Sequence, residues 1–156
     1  MNRFLLICLL VPLAGCEHDI SRAERAKALQ VLNARLNGWA RAFSNRDLDS
    51  LRTYYHQGPA LSVAWPDGHR TNGWGAEWDK QQAYIAGTSQ LSLTVHDIDV
   101  EVFDLHLASA GFYVNIDRVS ADRRSVCAGP GLSVWLLEPT GEWRILKLQT
   151  ACANSQ

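Results

Sequence analysis

Apolar residues recur along the first third of the chain at the spacing of a helix. Leu29, Leu32, Leu36, Trp39 and Phe43 follow one another at steps of 3, 4, 3 and 4, which lays them along one stripe of a helical surface. Ser21-Arg22-Ala23-Glu24 opens this helix with the spacing of a capping box, in which Ser21 accepts from the N–H three residues on and Glu24 reaches back. Gly38 inside the helix costs up to about 1 kcal/mol relative to Ala and leaves room for a second element. Ser44-Asn45-Arg46 breaks the pattern. A short second helix follows over 47–55, with Leu48, Leu51 and Tyr55 on one side and acidic residues in its first turn, where the helix dipole favours them. A third helix starts from Asn72 as cap. It carries Trp74, Trp78, Gln81 and Ile85 at steps of 4, 3 and 4 and stops at Gly87.

Between the second and third helices, residues 60–65 read as a strand. Pro66-Asp67-Gly68-His69 reads as a turn, and residues 69–71 as a brief return strand. After Gly87 the pattern is β throughout, with strands over 90–103, 106–117, 124–137 and 142–152. Short connections make such strands antiparallel neighbours. In the last hairpin, Pro139 and Gly141 occupy the second and fourth positions of a type I turn. Pairing Glu138 with Gly141 makes opposed residue numbers sum to 279, so Val134 faces Ile145 and Cys127 faces Cys152. A three-residue loop with Gly141 in a bulge shifts that register by one.

Composition adds three constraints. The 156 residues fit one domain plus a targeting segment, and 47% apolar with 20% charged residues is globular. A formal charge of −1 gives no nucleic-acid footprint. Six tryptophans imply either a bulky core or an aromatic pocket.

The N-terminus reads as a signal. Asn2-Arg3 is a short positive region, and the apolar run from Phe4 to Leu13 is too short to span a bilayer as a stable helix. Leu13-Ala14-Gly15-Cys16 resembles the lipobox of bacterial lipoproteins. That resemblance implies removal of residues 1–15, a diacylglyceryl group on Cys16, a tether over 16–20 and a domain over 21–153. Loss of Arg3 takes the formal charge from −1 to −2. Several acyl chains anchor stably where one does not. The implied location is the bacterial cell envelope, and Glu17 after the cysteine points to the outer membrane facing the periplasm. With Cys8 and Cys16 accounted for, Cys127 and Cys152 form an even pair in an oxidising compartment, which suggests a disulfide. Without CxxC spacing or nearby histidines they do not read as a metal site, and no cofactor is expected.

The order helix, helix, short hairpin, helix, long four-strand meander resembles the nuclear transport factor 2-like superfamily in its SnoaL-like branch. Three runs carry the resemblance. Trp39-Ala40-Arg41-Ala42-Phe43-Ser44-Asn45-Arg46-Asp47-Leu48-Asp49-Ser50-Leu51 is similar to that branch's helix-to-helix passage. Gly68 ahead of Trp74 is similar to its turn into the third helix, and Gly141-Glu142-Trp143-Arg144-Ile145 to its last strand. The resemblance implies an α+β cone in which three N-terminal helices pack on a strongly curved antiparallel sheet around a cavity. Members are isomerases, dehydratases, cyclases, hydrolases or catalytically silent binding modules, so the fold alone does not give the function.

Many members of that branch carry His, His and Ser on the last strand where this chain has Lys147, Gln149 and Ala151. Alternation places Lys147 and Gln149 on the face of Trp143 and Ile145, either inside the cavity or, for Lys147, snorkelling at its rim. Asp97, Asp99 and Glu101 read as a solvated face. His96 alternates onto the opposite face with Ile98 and Val100, as a cavity base or a satisfied core histidine. Tyr113 and Asn115 share a face and can donate to a ligand. His56 lies near where such cavities open. Trp39, Tyr55, Trp65, Trp74 and Trp78 come from the elements that close the cone, and either wall a pocket or fill it. Leu146 and Leu148 point away from Ile145, onto an outer sheet face suited to a homodimer. No nucleophile elbow, phosphate loop or metal-binding helix motif occurs in the sequence.

The sequence thus predicts an envelope-anchored protein whose cone binds a small, largely apolar or weakly anionic molecule without evident catalysis. The alternatives are an acid–base enzyme in the same cavity and an interaction module with a filled one.

Overall fold

The computed structural model describes residues 20–121, 123–152 and 154–155. The expected signal segment, Cys16 and all of the tether but Ile20 lie outside the described residues.

Helix α1, Arg22–Ser44, begins at the capping box: Glu24 N donates to Ser21 Oγ (3.2 Å) and Ser21 N to Glu24 Oε2 (3.0 Å). Leu32, Leu36, Trp39 and Phe43 are buried along its stripe. Gly38 lies against Tyr54, and a Cβ there would collide with the tyrosine hydroxyl. Helix α2, Leu48–Leu51, is capped by Asp47 accepting from Ser50 N, and a 3₁₀ turn over Arg52–Tyr54 delivers Tyr55 into the core. Strand β1, Ser62–Ala64, is shorter than the 60–65 the sequence implies, and β2, Arg70–Asn72, keeps its expected length one residue further on. Helix α3, Trp74–Ala86, is capped by Gly73 at φ 79° rather than by Asn72, because the chain turns through a left-handed residue there. The long strands are β3, Gln90–Val102; β4, Leu107–Ser120; β5, Arg123–Leu137; and β6, Trp143–Thr150. A short β7 follows, Asn154–Ser155.

The sheet runs β2-β1-β6-β5-β4-β3, with β7 on β5. It is mixed rather than wholly antiparallel. The three-residue β1 closes the curved edge by pairing parallel with β6, Ser62 opposite Lys147 and Ala64 opposite Gln149. This is an α+β cone of three helices on a curved sheet, the architecture the resemblance implies.

Two bulges decide which side chains face the cone. In β3 the register slips between His96 and Asp99, with Asp97 at φ 51°. In β6 it slips at Leu146: Trp135 faces Ile145, but Val134 faces Lys147. One extra residue in a strand sends everything beyond it to the other face. The β5–β6 loop itself has three residues, with Glu138 N donating to Glu142 O (2.9 Å) and Gly141 at φ 83°. The opposed numbers therefore sum to 280 before the Leu146 bulge and 281 after it, not 279. Cys127 and Cys152 are still joined, with Cα atoms 5.1 Å apart, but diagonally, beyond the last residue of β6.

Candidate functional site

The open end of the cone lies where α3, β1 and the far ends of β4 and β5 meet. Below it, an inner chamber takes Trp39 and Phe43 from α1, Tyr55 after the 3₁₀ turn, Trp65 after β1, and Glu77 and Tyr84 from α3. The rings pack against one another. Centroids are 5.3 Å apart for Trp65–Tyr84, 5.7 Å for Phe43–Tyr84 and 5.9 Å for Trp39–Phe43. They leave about 30 Å³ of free space, room for about two waters and not for a ligand.

A fully buried carboxylate sits in this aromatic packing. Glu77 Oε2 accepts from Trp65 Nε1 (3.0 Å) and from the Thr71 hydroxyl, and Glu77 Oε1 accepts from Gln81 Nε2 (2.7 Å). Gln81, equally buried, leaves its Oε1 without a partner. Burial pushes the Glu77 carboxyl above the usual carboxylate range, against the opposing pull of these donors and of the Lys80 charge. Close by, Trp39 Nε1 donates to Tyr55 Oη (2.7 Å). Burial first, and the Glu77 charge second, push the Tyr55 phenol well above its usual range, so it is held as a neutral hydroxyl.

Above the rings lies a vestibule of about 580 Å³ that shares Trp65, Pro66, Tyr84 and Ile116 with the chamber. Ser125 and the Cys127–Cys152 disulfide also line it. Three charged groups line it: Asp67, Lys80 and Arg118. Lys80 Nζ is paired with Asp67 Oδ2 (3.0 Å) and sits 5.5 Å from the centre of the Trp65 ring.

Of the residues singled out in the sequence, Trp39, Tyr55 and Trp65 line the inner chamber. Trp74 and Trp78 stack on each other at 5.0 Å, with Trp74 also 6.1 Å from Tyr55; they form a half-buried side of α3 rather than chamber wall. His96, Tyr113 and Asn115 are corrected to the outer face. The bulge after His96 leaves it outside, its Nδ1 2.9 Å from Asp97 Oδ2, its Nε2 3.1 Å from Asn115 Nδ2 and its ring 5.1 Å from Tyr113. Lys147 and Gln149 are corrected likewise: the Leu146 bulge turns them out beside Ser62, Ala64 and Arg70. It turns Leu148 and Thr150 inward, so Leu148 is lost to the outer leucine pair. His56 pairs with Glu138 (2.6 Å) at the β5–β6 loop, remote from the vestibule.

Sequence reasoning missed Glu77, Tyr84 and Arg118. Glu77 lies on the Trp74–Trp78–Gln81 stripe, and only its charge hid it. Arg118 follows Ile116 by two residues and so shares its inward face. Among the described residues no group of three or more His, Cys, Asp and Glu could hold a metal ion, and no helix is long and apolar enough to cross a membrane.

The result is a helix-closed conical sheet with an aromatic floor and a wide mouth. The chain belongs to the SnoaL-like domain family, whose model matches residues 32–153. Solved structures agree on the fold. A nuclear transport factor 2-like superfamily protein of Salmonella enterica is 19% identical with TM-score 0.75, covering 83% of this chain and 94% of its own. A hexachlorocyclohexane dehydrochlorinase of Novosphingobium barchaimii is 11% identical with TM-score 0.74, covering 87% and 93%. A type 2 hexachlorocyclohexane dehydrochlorinase is 9% identical with TM-score 0.77, covering 87% and 92%. No curated protein matches the sequence.

Proposed function

We propose that this is an envelope-anchored binding protein that holds a small, largely apolar or weakly anionic molecule in the vestibule. The observation that carries the reading is the size and lining of that space. About 580 Å³ stands open above a floor of packed aromatic rings, within the range of small-molecule sites. The ligand rests on Trp65 and Tyr84 and does not enter the chamber, which the rings fill. Residues 1–15 are removed as a signal, Cys16 carries the lipid, and the domain faces the periplasm from the outer membrane. Support for this comes from the small residues ahead of Cys16 and from the Cys127–Cys152 disulfide, which suits an oxidising compartment.

Native mass spectrometry of the mature protein, purified from its own membrane fraction, tests the binding. A small-molecule mass that is lost in Ala83→Trp, whose indole would fill the vestibule, supports the reading. No such mass in the wild type, or one retained in Ala83→Trp, overturns it. The anchor is tested separately: Cys16→Ser should release the protein from the membrane fraction.

One observation favours a second reading, an acid–base enzyme. Glu77 is a fully buried carboxyl with raised proton affinity, separated from the vestibule by the Trp65 indole it accepts from. A ligand that displaced this indole would meet a carboxyl suited to proton transfer, in keeping with the dehydrochlorinases among the structural neighbours. Turnover of the co-purified ligand that is lost in Glu77→Gln while binding persists would favour this reading.

A further inference from the structure

We propose that Arg118 is a carboxylate receptor, and that the ligand is a small monocarboxylic acid with a flat apolar body. This rests on the reading that the vestibule binds a small molecule, and it names the class.

Thr88 and Tyr84 hold the guanidinium. Arg118 Nε donates to Thr88 Oγ1 (2.8 Å), and that hydroxyl donates onward to Tyr84 O (2.6 Å). The guanidinium carbon lies 4.1 Å from the centre of the Tyr84 ring, so the plane is fixed by an edge contact and a face contact together. Thr88 itself is buried and further held by Arg46 Nη1, which donates to its carbonyl (2.9 Å). Such an arginine has lost most of its rotamer freedom before any ligand arrives, which is what a tight anion contact requires.

Among the described residues the charge balance of the vestibule leaves this cation without a carboxylate. Asp67 is engaged by Lys80 (3.0 Å) and His69 (3.3 Å). Asp117, the neighbour of Arg118 in sequence, points to the other face and pairs with Arg124. Among the described residues no carboxylate pairs with Arg118, although it lines the cavity. A fixed guanidinium with no carboxylate partner among the described residues, in a cavity whose other charges are the paired Asp67 and Lys80, is complementary to a carboxylate in a bidentate contact. Among the described residues one cation of the vestibule lacks a carboxylate partner, which matches one acid group. The flat apolar body matches the rest of the lining, which includes the Trp65 and Tyr84 rings, Ile116 and the disulfide.

Isothermal titration calorimetry with the full mature domain compares 2-naphthoate with 2-naphthamide, which differ in charge and hardly in shape. The expected result is that the acid binds about tenfold tighter or more, and that Arg118→Gln abolishes this preference. Arg118→Lys keeps the charge without the fork and should retain a reduced preference. Equal binding of acid and amide to the wild type overturns the receptor but leaves the vestibule reading standing. Failure of both compounds to bind overturns the flat-bodied acid, and the mass-spectrometric comparison with Ala83→Trp then decides the vestibule reading by itself. The wild-type comparison decides the matter even if the variants fold poorly, and a preference that survives in a folded Arg118→Gln also overturns the proposal.

Discussion

Trp65 Nε1 and Glu77 Oε2 meet at 3.0 Å in the floor of the cone, and this contact ties the first strand region to α3. It also fixes what the carboxylate does for stability. Burial raises the Glu77 carboxyl above its ordinary 4.5. In the unfolded chain the group ionises first as pH rises, while the folded protein keeps its proton longer. The folded state therefore binds more protons in that interval, and stability falls with rising pH from 4.5 to just beyond the folded value.

The first prediction follows from that sign. Glu77→Gln keeps the shape and cannot ionise. Its second amide N–H meets Gln81 Oε1, the acceptor that lacks a partner, once the Gln81 amide turns over. The stability of Glu77→Gln relative to wild type should therefore rise between about pH 4 and about pH 7. Glu77→Ala instead strands the donors of Trp65, Thr71 and Gln81 and should cost about 3 kcal/mol or more at either pH. Urea denaturation at the two pH values measures both. A difference between wild type and Glu77→Gln that does not change with pH would rule out the raised carboxyl.

The helices were legible because nothing interrupts their period, from Leu32 to Phe43 on α1 and from Trp74 to Ile85 on α3. The four long strands were legible from their length and short connections. The site was half legible, and the failures share one cause. Alternation is a parity argument, and a single inserted residue reverses it. The insertion before Asp99 put His96 outside, and the one at Leu146 put Lys147 and Gln149 outside and Leu148 inside. Neither bulge has a Gly or Pro to announce it. Asp97 in a left-handed conformation is the only local trace, an aspartate tolerating what most side chains do not. Glu77 failed for a different reason: apolar periodicity discards a charged residue even when three donors wait for it in the core.

The Leu146 bulge can be tested by stability alone. Leu148 is buried against the inner chamber, so Leu148→Ala should cost about 2–4 kcal/mol. Lys147→Ala, on the exposed outer face, should stay within about 0.5 kcal/mol. Unbroken alternation predicts the opposite order. Chemical denaturation of the two variants decides, and a larger loss in Lys147→Ala would refute the bulged register.

Gly131 presents a steric prediction. It lies opposite Phe112, whose ring occupies the space a Cβ would take, and that ring meets Trp39 edge-on at 6.4 Å. Gly131→Ala should push Phe112 into the aromatic floor and cost about 1–3 kcal/mol, as overpacking does. Adding Phe112→Leu should recover part of that loss, because the two changes act on one contact. Additive losses in the double variant would show that Phe112 is not what confines Gly131.

The disulfide carries the last prediction. Cys152 follows the end of β6 and reaches back to Cys127 across a separation of 25 residues. Closing a loop of that length lowers the entropy of the unfolded chain and contributes roughly 3 kcal/mol in the chain-entropy model. The bond also holds the chain after β6 against β5, where Ala151 N donates to Pro130 O (3.0 Å), and it forms part of the vestibule wall. Reduction should therefore act in two places. Global stability should fall by about 3 kcal/mol in denaturant. Hydrogen exchange should rise first at Ala151 and the segment beyond it, while the Leu32–Leu36 turn of α1 stays protected until global unfolding. The double variant Cys127→Ser, Cys152→Ser should reproduce both effects without reductant. An unchanged denaturation midpoint, or exchange rising uniformly across the domain, would mean that the bond neither stabilises the fold nor pins the chain end at the mouth of the cone.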